Sequence, residues 1–169
     1  MEKSIERFGI PCHMSEEDLI SKILRTRYGR IDLKASDHGL FELALNGRLK
    51  KGVGTNRMLD KLQMDLERYF KGKPVDFSEI QLDMLGYTPF ERDVLAATKR
   101  IPYGKTKSYK DIAEEIGRPQ AFRAVGNALG KNRTAIIVPC HRVISEGGLG
   151  GFGAGIEWKR RLLRLEGIL

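Results

Sequence analysis

Residues 136–144 read IIVPCHRVI, and this stretch decides which fold and chemistry the rest of the chain has to support. Two runs of β-branched apolar residues flank the triplet Pro139-Cys140-His141. Such runs are typical of a buried strand, so the pattern predicts a strand interrupted by reactive side chains. A cysteine acts as a nucleophile through its thiolate, and a histidine is a common base for generating it. The stretch is therefore a candidate catalytic segment.

The surroundings of Cys140 favour chemistry, although most free cysteines are inert buried side chains. Pro139 fixes the backbone before the sulfur, and the basic residues nearby favour the thiolate over the thiol. Adjacent residues of an extended strand point to opposite faces, so His141 is not expected to touch Cys140 directly. A bridging water or a turn at Pro139 is needed to connect the two side chains.

A carboxylate that could complete this pair occurs near the C-terminus. Residues 156–169 predict a helix whose inward stripe includes Ile156, Leu162 and Leu163, and Glu166 shares that apolar face. A carboxylate there needs a partner, which is either a nearby arginine or His141. The second choice gives a Cys-His-Glu relay in which the carboxylate fixes the imidazole tautomer.

Three short helices are predicted upstream of the cysteine. The capping-box pattern of residues 88–91 starts the first, and the other two span residues 108–116 and 120–129. The last two are joined by a Gly-containing turn and have the shape of a helix-turn-helix. Residues 99–133 carry nine basic and three acidic side chains. That excess is typical of a polyanion-binding face, although a solvated surface can have the same composition.

The N-terminal half predicts a small sheet covered by one helix. Residues 28–35 and 40–45 form a hairpin around a Ser-Asp-His-Gly turn, and residues 56–71 repeat apolar side chains at helical spacing. A Gly- and Pro-containing stretch follows, and we place a domain boundary at residue 78. The predicted fold is α/β (α+β), with a sheet-plus-helix domain over residues 1–78. A mostly helical domain with a helix-turn-helix and an active-site strand or turn occupies residues 79–169.

The composition limits the protein class. The 169 residues include 30 Lys and Arg against 22 Asp and Glu, a net charge of +8. No run approaches 18 apolar residues and the N-terminus lacks an apolar signal region, so we expect an intracellular protein with no membrane association. Cys12 and Cys140 form neither a CxxC pair nor a disulfide framework, which argues against structural zinc.

The run from Val138 to Val143 resembles the active-site signature of the O6-alkylguanine-DNA alkyltransferases, also called methylated-DNA-protein-cysteine methyltransferases. The similarity extends through the second half of the chain, and the N-terminal half resembles the family only in outline. The residues that carry the resemblance are, in order, Thr88-Pro89-Phe90, Ile101-Pro102-Tyr103-Gly104, Ser108-Tyr109, Arg123-Ala124-Val125-Gly126, Asn132, Pro139-Cys140-His141-Arg142, Leu162-Leu163 and Glu166-Gly167.

The resemblance implies DNA repair by direct reversal of damage. The protein would bind double-stranded DNA, flip out an O6-alkylguanine and transfer the alkyl group irreversibly to Cys140, once per chain. O4-alkylthymine is a further candidate substrate. The resemblance implies no cofactor and no metal, a monomer, and a cytoplasmic location, or a nuclear one in a eukaryotic source.

The resemblance also assigns roles to individual residues. Cys140 is the nucleophile and alkyl acceptor, His141 the water-mediated base, Glu166 the group that orients it, Tyr109 the proton donor to the purine, and Asn132 the organiser of the turn. The substrate pocket would consist of Pro139, Val143, Phe152 and Gly153. The DNA-binding residues would be Ala121, Phe122, Arg123, Ala124, Gly126, Lys131 and Arg133, with Arg123 as the finger that enters the base stack.

The chain departs from the family pattern at several of these positions. Phe122 and Asn127 stand where small residues are frequent, and Phe152 and Gly153 stand where a tyrosine and a serine are often found. Leaving-group stabilisation then depends more on backbone N–H groups and on Tyr109.

Two other functions remain open at this point. A helix-turn-helix regulator with a structural Cys and His would bind a specific DNA sequence and form no thioether. A cysteine hydrolase would turn over an ester or amide. The Pro11-Cys12-His13 triplet lacks the Arg-Val that follows Cys140, and we interpret it as a coincidental repeat.

Overall fold

The computed structural model describes residues 18–169 and confirms the predicted mixed α/β class, with a small sheet followed by a mostly helical unit. The elements are, in chain order, β1 (Ile20–Thr26), β2 (Gly29–Ser36), β3 (Gly39–Leu45), α1 (Arg57–Tyr69), α2 (Pro89–Lys99), β4 (Lys107–Ser108), α3 (Tyr109–Glu115), α4 (Phe122–Gly130), β5 (Val143–Ile144) and α5 (Ile156–Leu165). Each helix among residues 18–169 is too short or too polar to span a lipid bilayer. The triplet around Cys12 lies outside the described residues.

The N-terminal sheet is antiparallel with strand order β1-β2-β3. The predicted hairpin is present as β2 and β3, and β1 is a strand that the prediction lacks. Its sequence, ISKILRT, does not alternate buried and exposed positions with a period of two, so no pattern marks it. Backbone pairing from Ile20 opposite Ala35 to Thr26 opposite Gly29 holds it in the sheet.

Helix α1 covers this sheet, as its spacing predicts. The Asn56 side chain caps the helix by accepting a hydrogen bond from the Leu59 N–H at 3.1 Å. Leu59, Leu62, Leu66 and Tyr69 are all buried on one face. That face packs into a cluster with the inward side chains of β2 and β3.

The second unit contains the predicted helix-turn-helix. Helix α2 begins with a complete capping box between Thr88 and Glu91, as its sequence predicts. The predicted third helix starts later than expected, because Pro119–Ala121 forms a 3₁₀ turn and α4 begins at Phe122. Val125, Ala128 and Leu129 of α4 are buried against α2 and α3.

Helix α5 is shorter than predicted and ends at Leu165. Glu166 is its C-cap, and Gly167 follows with a φ of 71°, a conformation that glycine adopts without strain. Leu162 and Leu163 are buried as predicted, but Ile156 is exposed, so it does not belong to the inward stripe. The turn at the end of α5 directs the Glu166 side chain into the protein, where it is buried.

The two units share a core, and this is what positions the candidate site. Ile136 and Ile137, which precede the Pro-Cys-His triplet, pack in the cluster of the N-terminal sheet, together with Trp158 of α5. The Leu43 N–H of β3 also donates a 2.8 Å hydrogen bond to the Arg133 carbonyl. The N-terminal sheet therefore supports the segment that carries Cys140. The domain boundary at residue 78 stays a prediction.

Candidate active site

The segment around Cys140 is a turn rather than the predicted interrupted strand. The Val138 N–H donates to the Thr134 carbonyl at 2.9 Å, and Cys140–Arg142 forms a 3₁₀ turn. Only Val143–Ile144 is a strand, paired in parallel with β4.

Two features prevent a longer strand: Pro139 has no N–H to donate, and Ile136 has a φ of 74° that β-branched residues rarely adopt. Burial of the Ile136 side chain opposes relaxation of this strained backbone.

Asn132 connects the end of the helix-turn-helix to this turn. Its Nδ2 donates to the Val138 carbonyl at 3.0 Å and to the Cys140 Sγ at 3.1 Å. Its Oδ1 accepts hydrogen bonds from the Thr134 N–H at 3.0 Å and from the Thr134 hydroxyl at 3.2 Å. One amide side chain thus fixes both the turn and the position of the sulfur.

The thiol of Cys140 faces a cavity of about 140 Å³. Its walls come from both helices of the helix-turn-helix and from the loop before α5. They comprise Tyr109, Gly126, Leu129, Gly130, Gly151, Phe152 and Gly153. The predicted pocket residues Phe152 and Gly153 are therefore present in the wall. Pro139 and Val143 are buried and do not line the cavity, because the 3₁₀ turn directs Cys140 into it instead.

Burial governs the protonation state of Cys140. Desolvation raises the pKa of the thiol, although the Asn132 hydrogen bond and the charge of Lys159 act in the opposite direction. The predicted effect of basic neighbours is therefore present in the charge of Lys159, but desolvation outweighs it. The surrounding charge is insufficient to offset the loss of hydration, so Cys140 rests as a thiol. A base must take its proton when the sulfur reacts.

His141 is a neutral base with one nitrogen available. The ring is fully buried, and burial lowers its pKa despite the hydrogen bond to Glu166. Its Nε2 lies 2.8 Å from the Glu166 Oε1, so the neutral ring carries its proton on Nε2 and donates it to the carboxylate. Nδ1 is buried and has no hydrogen-bond partner among residues 18–169. This nitrogen is thus an acceptor that nothing in the described chain occupies.

Glu166 is held as a carboxylate by several donors. Burial alone would raise its pKa, but hydrogen bonds and charges from His141 and Arg142 outweigh it and lower the pKa to about 2. Arg142 donates from Nε to Oε2 at 2.8 Å and from Nη2 to Oε1 at 2.9 Å. Both partners considered from the sequence, an arginine and His141, are therefore present together. The arginine comes from the 3₁₀ turn and not from α5.

Tyr69 and Lys159 belong to the site, although neither is among the residues predicted for it from the sequence. Tyr69 of α1 is buried, and its hydroxyl donates to Glu166 Oε1 at 2.6 Å. The helical period of α1 marks Tyr69 only as a core residue, so no local signal indicates this contact. A lysine in the inward stripe of α5 is a detectable signal for Lys159, because a buried ammonium needs acceptors.

The Lys159 ammonium connects the loop before α5, which lines the cavity, to the strand β5 after Cys140. Its Nζ donates to the Val143 carbonyl at 2.6 Å and to the Gly151 carbonyl at 3.1 Å. Burial lowers its pKa to about 8, although the nearby Cys140 acts to raise it. Lys159 therefore places a positive charge near the sulfur at neutral pH.

Tyr109 lies in the cavity wall rather than facing solvent. Burial raises the pKa of its hydroxyl, and a hydrogen bond with the Gly151 backbone acts to lower it. The net rise in pKa means that the phenol keeps its proton at neutral pH, so it is available as a donor. Gly150 has a φ of 69°, and a Cβ atom there would approach the Tyr109 oxygen to 2.8 Å, so glycine is favoured at this loop position.

Most of the predicted DNA-binding residues are exposed on or next to α4, and one of them lines the cavity. Phe122, Arg123 and Ala124 are exposed in the first turn of α4, with Ala121 half-buried just before it. Lys131 is also exposed and forms an ion pair with Glu91, whereas Gly126 lines the cavity.

Arg133 was assigned to DNA binding by resemblance, and the structure contradicts this assignment. It is only 4% exposed, and its Nη2 donates to the carbonyls of Asp83 and Leu85, each at 2.9 Å. Its guanidinium carbon lies 4.5 Å from the ring centre of Phe41 and 4.4 Å from that of Tyr87. The buried guanidinium is thus enclosed by protein and out of reach of a phosphate, so Arg133 is a structural residue.

Comparison with known proteins gives consistent matches over nearly all of the described chain. Two family models match: 6-O-methylguanine DNA methyltransferase, ribonuclease-like domain, over residues 19–84, and the DNA binding domain of the same enzyme over residues 89–168. A methylated-DNA--protein-cysteine methyltransferase of Methanopyrus kandleri is 45% identical over 130 residues, covering 77% of this chain and 97% of its own. One from Sulfolobus acidocaldarius is 38% identical over 150 residues, covering 89% and 94%.

A solved structure is similar over most of its length as well. The crystal structure of Mycobacterium tuberculosis OGT in complex with DNA superposes with a TM-score of 0.74 at 39% sequence identity. The superposition covers 86% of this chain and 91% of that one.

Proposed function

This chain belongs to the 6-O-methylguanine DNA methyltransferase family, and we propose that it repairs duplex DNA, as a monomer, by transferring the alkyl group of an O6-alkylguanine to Cys140. One observation carries the proposal. The Cys140 thiol faces a cavity whose walls include both helices of the helix-turn-helix. A nucleophile in that cavity can react with a nucleobase that has rotated out of the duplex.

The residues supply both proton transfers that the reaction needs. The Cys140 thiol loses its proton to His141 Nδ1, with one water connecting them, while Glu166 holds the ring. The sulfur forms a bond to the alkyl carbon, and the bond from that carbon to guanine O6 breaks. Its electron pair stays with the guanine, which takes one proton from the Tyr109 hydroxyl. The proton on His141 then replaces the one that Tyr109 has given up.

Base extrusion is part of the proposal because the alkyl carbon cannot reach Cys140 from within a stacked duplex. Arg123 lies at the exposed start of α4, while Gly126, Leu129 and Gly130 of the same helix line the cavity. One helix therefore presents a cation to the DNA and a wall to the extruded base. We propose that the Arg123 guanidinium fills the place that the base leaves.

The reaction is proposed to stop after one turnover. Removal of the alkyl group would require a nucleophile to attack its carbon and expel the Cys140 thiolate, which is a poor leaving group from a neutral thioether. Around Sγ the described residues offer hydrogen-bond donors, namely the Asn132 amide and backbone N–H groups, and two groups that keep their protons at neutral pH, the Lys159 ammonium and the Tyr109 phenol. None of these acts as a nucleophile in that protonation state. Residues 18–169 therefore supply no group that would remove the alkyl chain from Cys140.

The test is the intact mass of the protein after incubation with duplex DNA that contains one O6-methylguanine. We expect a gain of one methyl group per chain, located on Cys140 by peptide mapping. Cys140→Ser should bind the DNA and gain nothing, whereas the matched variant Cys12→Ser should react normally.

Three outcomes would contradict the proposal. Methyl transfer beyond one equivalent would favour a hydrolase. Binding that requires a specific palindromic sequence, without any mass change, would favour a regulator. A methyl group located on Cys12 would refute the assignment of the acceptor.

A further inference from the structure

Phe122, at the start of α4, is a large apolar side chain left in solvent. It is 42% exposed, whereas the apolar residues Val125, Ala128 and Leu129 of the same helix are buried. An exposed phenylalanine does not contribute to the core that holds α4, so its presence there calls for another explanation.

The side chains of Phe122 and Arg123 project together from the surface of α4. The guanidinium carbon of Arg123 lies over the Phe122 ring, 5.9 Å from its centre, so the cation and one face of the ring are neighbours. The other outward positions of α4 are occupied by the smaller residues Ala124, Asn127 and Gly130. Phe122 and Arg123 therefore extend further from α4 than its other exposed side chains. A ligand that contacts one of them will also contact the other.

The charge around this projection selects the kind of ligand. Residues 116–145 contain no Asp or Glu, and they include the exposed cations Arg118, Arg123 and Lys131. An aromatic ring within a positive surface fits a partner that presents anionic groups together with flat apolar faces. Duplex DNA presents phosphates and, wherever a base step opens, the face of a base.

We propose that Phe122 inserts beside the damaged nucleotide and stacks on the neighbouring base, while Arg123 fills the vacated position. This inference rests on the proposed function and adds to it a second intruding residue. Extrusion of one base exposes the faces of its neighbours, and an aromatic ring covers such a face without regard to sequence. Two adjacent side chains on one helix then stabilise the opened duplex together.

The test compares Phe122→Ala and Phe122→Trp with the unaltered protein. The measured quantity is the ratio of the transfer rate on duplex DNA, at limiting protein, to the transfer rate on free O6-benzylguanine. We expect the ratio to fall about tenfold in Phe122→Ala, since aromatic stacking on a base is lost. Phe122→Trp keeps a stacking face and should retain most of it. Met64→Ala removes a side chain that is 59% exposed on α1 and should leave the ratio unchanged.

A second readout follows the base step itself. The fluorescence of 2-aminopurine placed beside the lesion reports whether that base is stacked. A stacked ring should keep the fluorescence quenched in the complex with the unaltered protein, and Phe122→Ala should increase it.

An unchanged rate ratio in Phe122→Ala would overturn the inference, and so would a loss in Phe122→Trp as large as in Phe122→Ala. These outcomes are distinct from failure of the proposed function, in which the unaltered protein would react neither with duplex DNA nor with free O6-benzylguanine. Normal reaction of both variants with the free base shows that they are folded. If Phe122 instead binds a protein partner, the ratio will be unaffected by either substitution.

Discussion

The hydroxyl of Tyr69 in α1 donates a 2.6 Å hydrogen bond to Oε1 of Glu166, which lies 97 residues further along the chain. The same oxygen accepts the Nε2 proton of His141 at 2.8 Å. A helix that covers the N-terminal sheet therefore fixes the carboxylate that orients the candidate base. The N-terminal unit contributes to the site directly, although none of its side chains lines the cavity at Cys140.

Tyr69→Phe should weaken both folding and alkyl transfer. Loss of a hydrogen bond to a charged acceptor costs about 1.5–3 kcal/mol of unfolding free energy. Loss of a donor also raises the pKa of Glu166, so the acid limb of the stability curve should move to higher pH. The measurements are urea unfolding as a function of pH and the transfer rate on free O6-benzylguanine.

Tyr103→Phe is the matched control for this change. The Tyr103 hydroxyl also lies at the junction, but it donates to the carbonyls of Leu165 and Gly72 at 3.0 and 3.3 Å. Its loss should cost about 0.5–1.5 kcal/mol and should not move the acid limb. Identical pH curves for the two variants would show that the bond from Tyr69 to Glu166 has no role of its own.

Glu166→Gln should remove part of the acid sensitivity of the fold. The pKa of Glu166 is about 2 in the folded protein against 4.5 ordinarily. A carboxyl whose pKa is lowered by folding contributes stability above about pH 4.5, and this contribution is lost as the pH falls towards 2. Its size is on the order of 3 kcal/mol. Unfolding free energies between pH 5 and 2 should therefore fall less steeply in Glu166→Gln, and parallel curves would contradict this.

Local sequence signals predict the elements of this fold better than they predict its functional contacts. The capping box at Thr88 and the helical spacing that includes Tyr69 depend on neighbours a few residues away, and both elements form where expected. The positive φ of Ile136 and the burial of Arg133 depend on groups brought close only by folding. Likewise, the pattern of α5 places Glu166 inward, but only the folded protein adds Tyr69 to its partners.

Lys159→Met should change how the unfolding free energy depends on pH above about 8. Folding lowers the pKa of Lys159 to about 8 from 10.5, so the unfolded chain binds more protons between these values. Stability of the unaltered protein should therefore rise through this window relative to Lys159→Met, because the unfavourable burial of the charge is relieved. The neutral amine can still donate to both carbonyls. A difference in unfolding free energy that does not vary between pH 8 and 10 would contradict the prediction.

Arg133→Ala should lower the stability of the protein, whereas Lys131→Ala should change only its DNA binding. Arg133 is buried and bonded to two carbonyls, so its loss should destabilise the protein by about 3 kcal/mol or more and leave the salt dependence of DNA binding unchanged. Lys131 is exposed, so its loss should leave stability nearly unchanged and reduce the slope of log K against log salt by about one. A reduced slope in Arg133→Ala would reinstate it as a phosphate contact.

Arg123→Ala tests whether this side chain fills the position of the extruded base. Extrusion costs a few kcal/mol, and a loss of 1.4 kcal/mol is a factor of about ten, so transfer from duplex DNA should fall at least tenfold. Free O6-benzylguanine requires no extrusion and should react at nearly the normal rate. Arg118→Ala, which removes another exposed cation near α4, should weaken duplex binding without changing the rate at saturating DNA. An unchanged duplex-to-free rate ratio in Arg123→Ala would mean that its guanidinium only contacts phosphate.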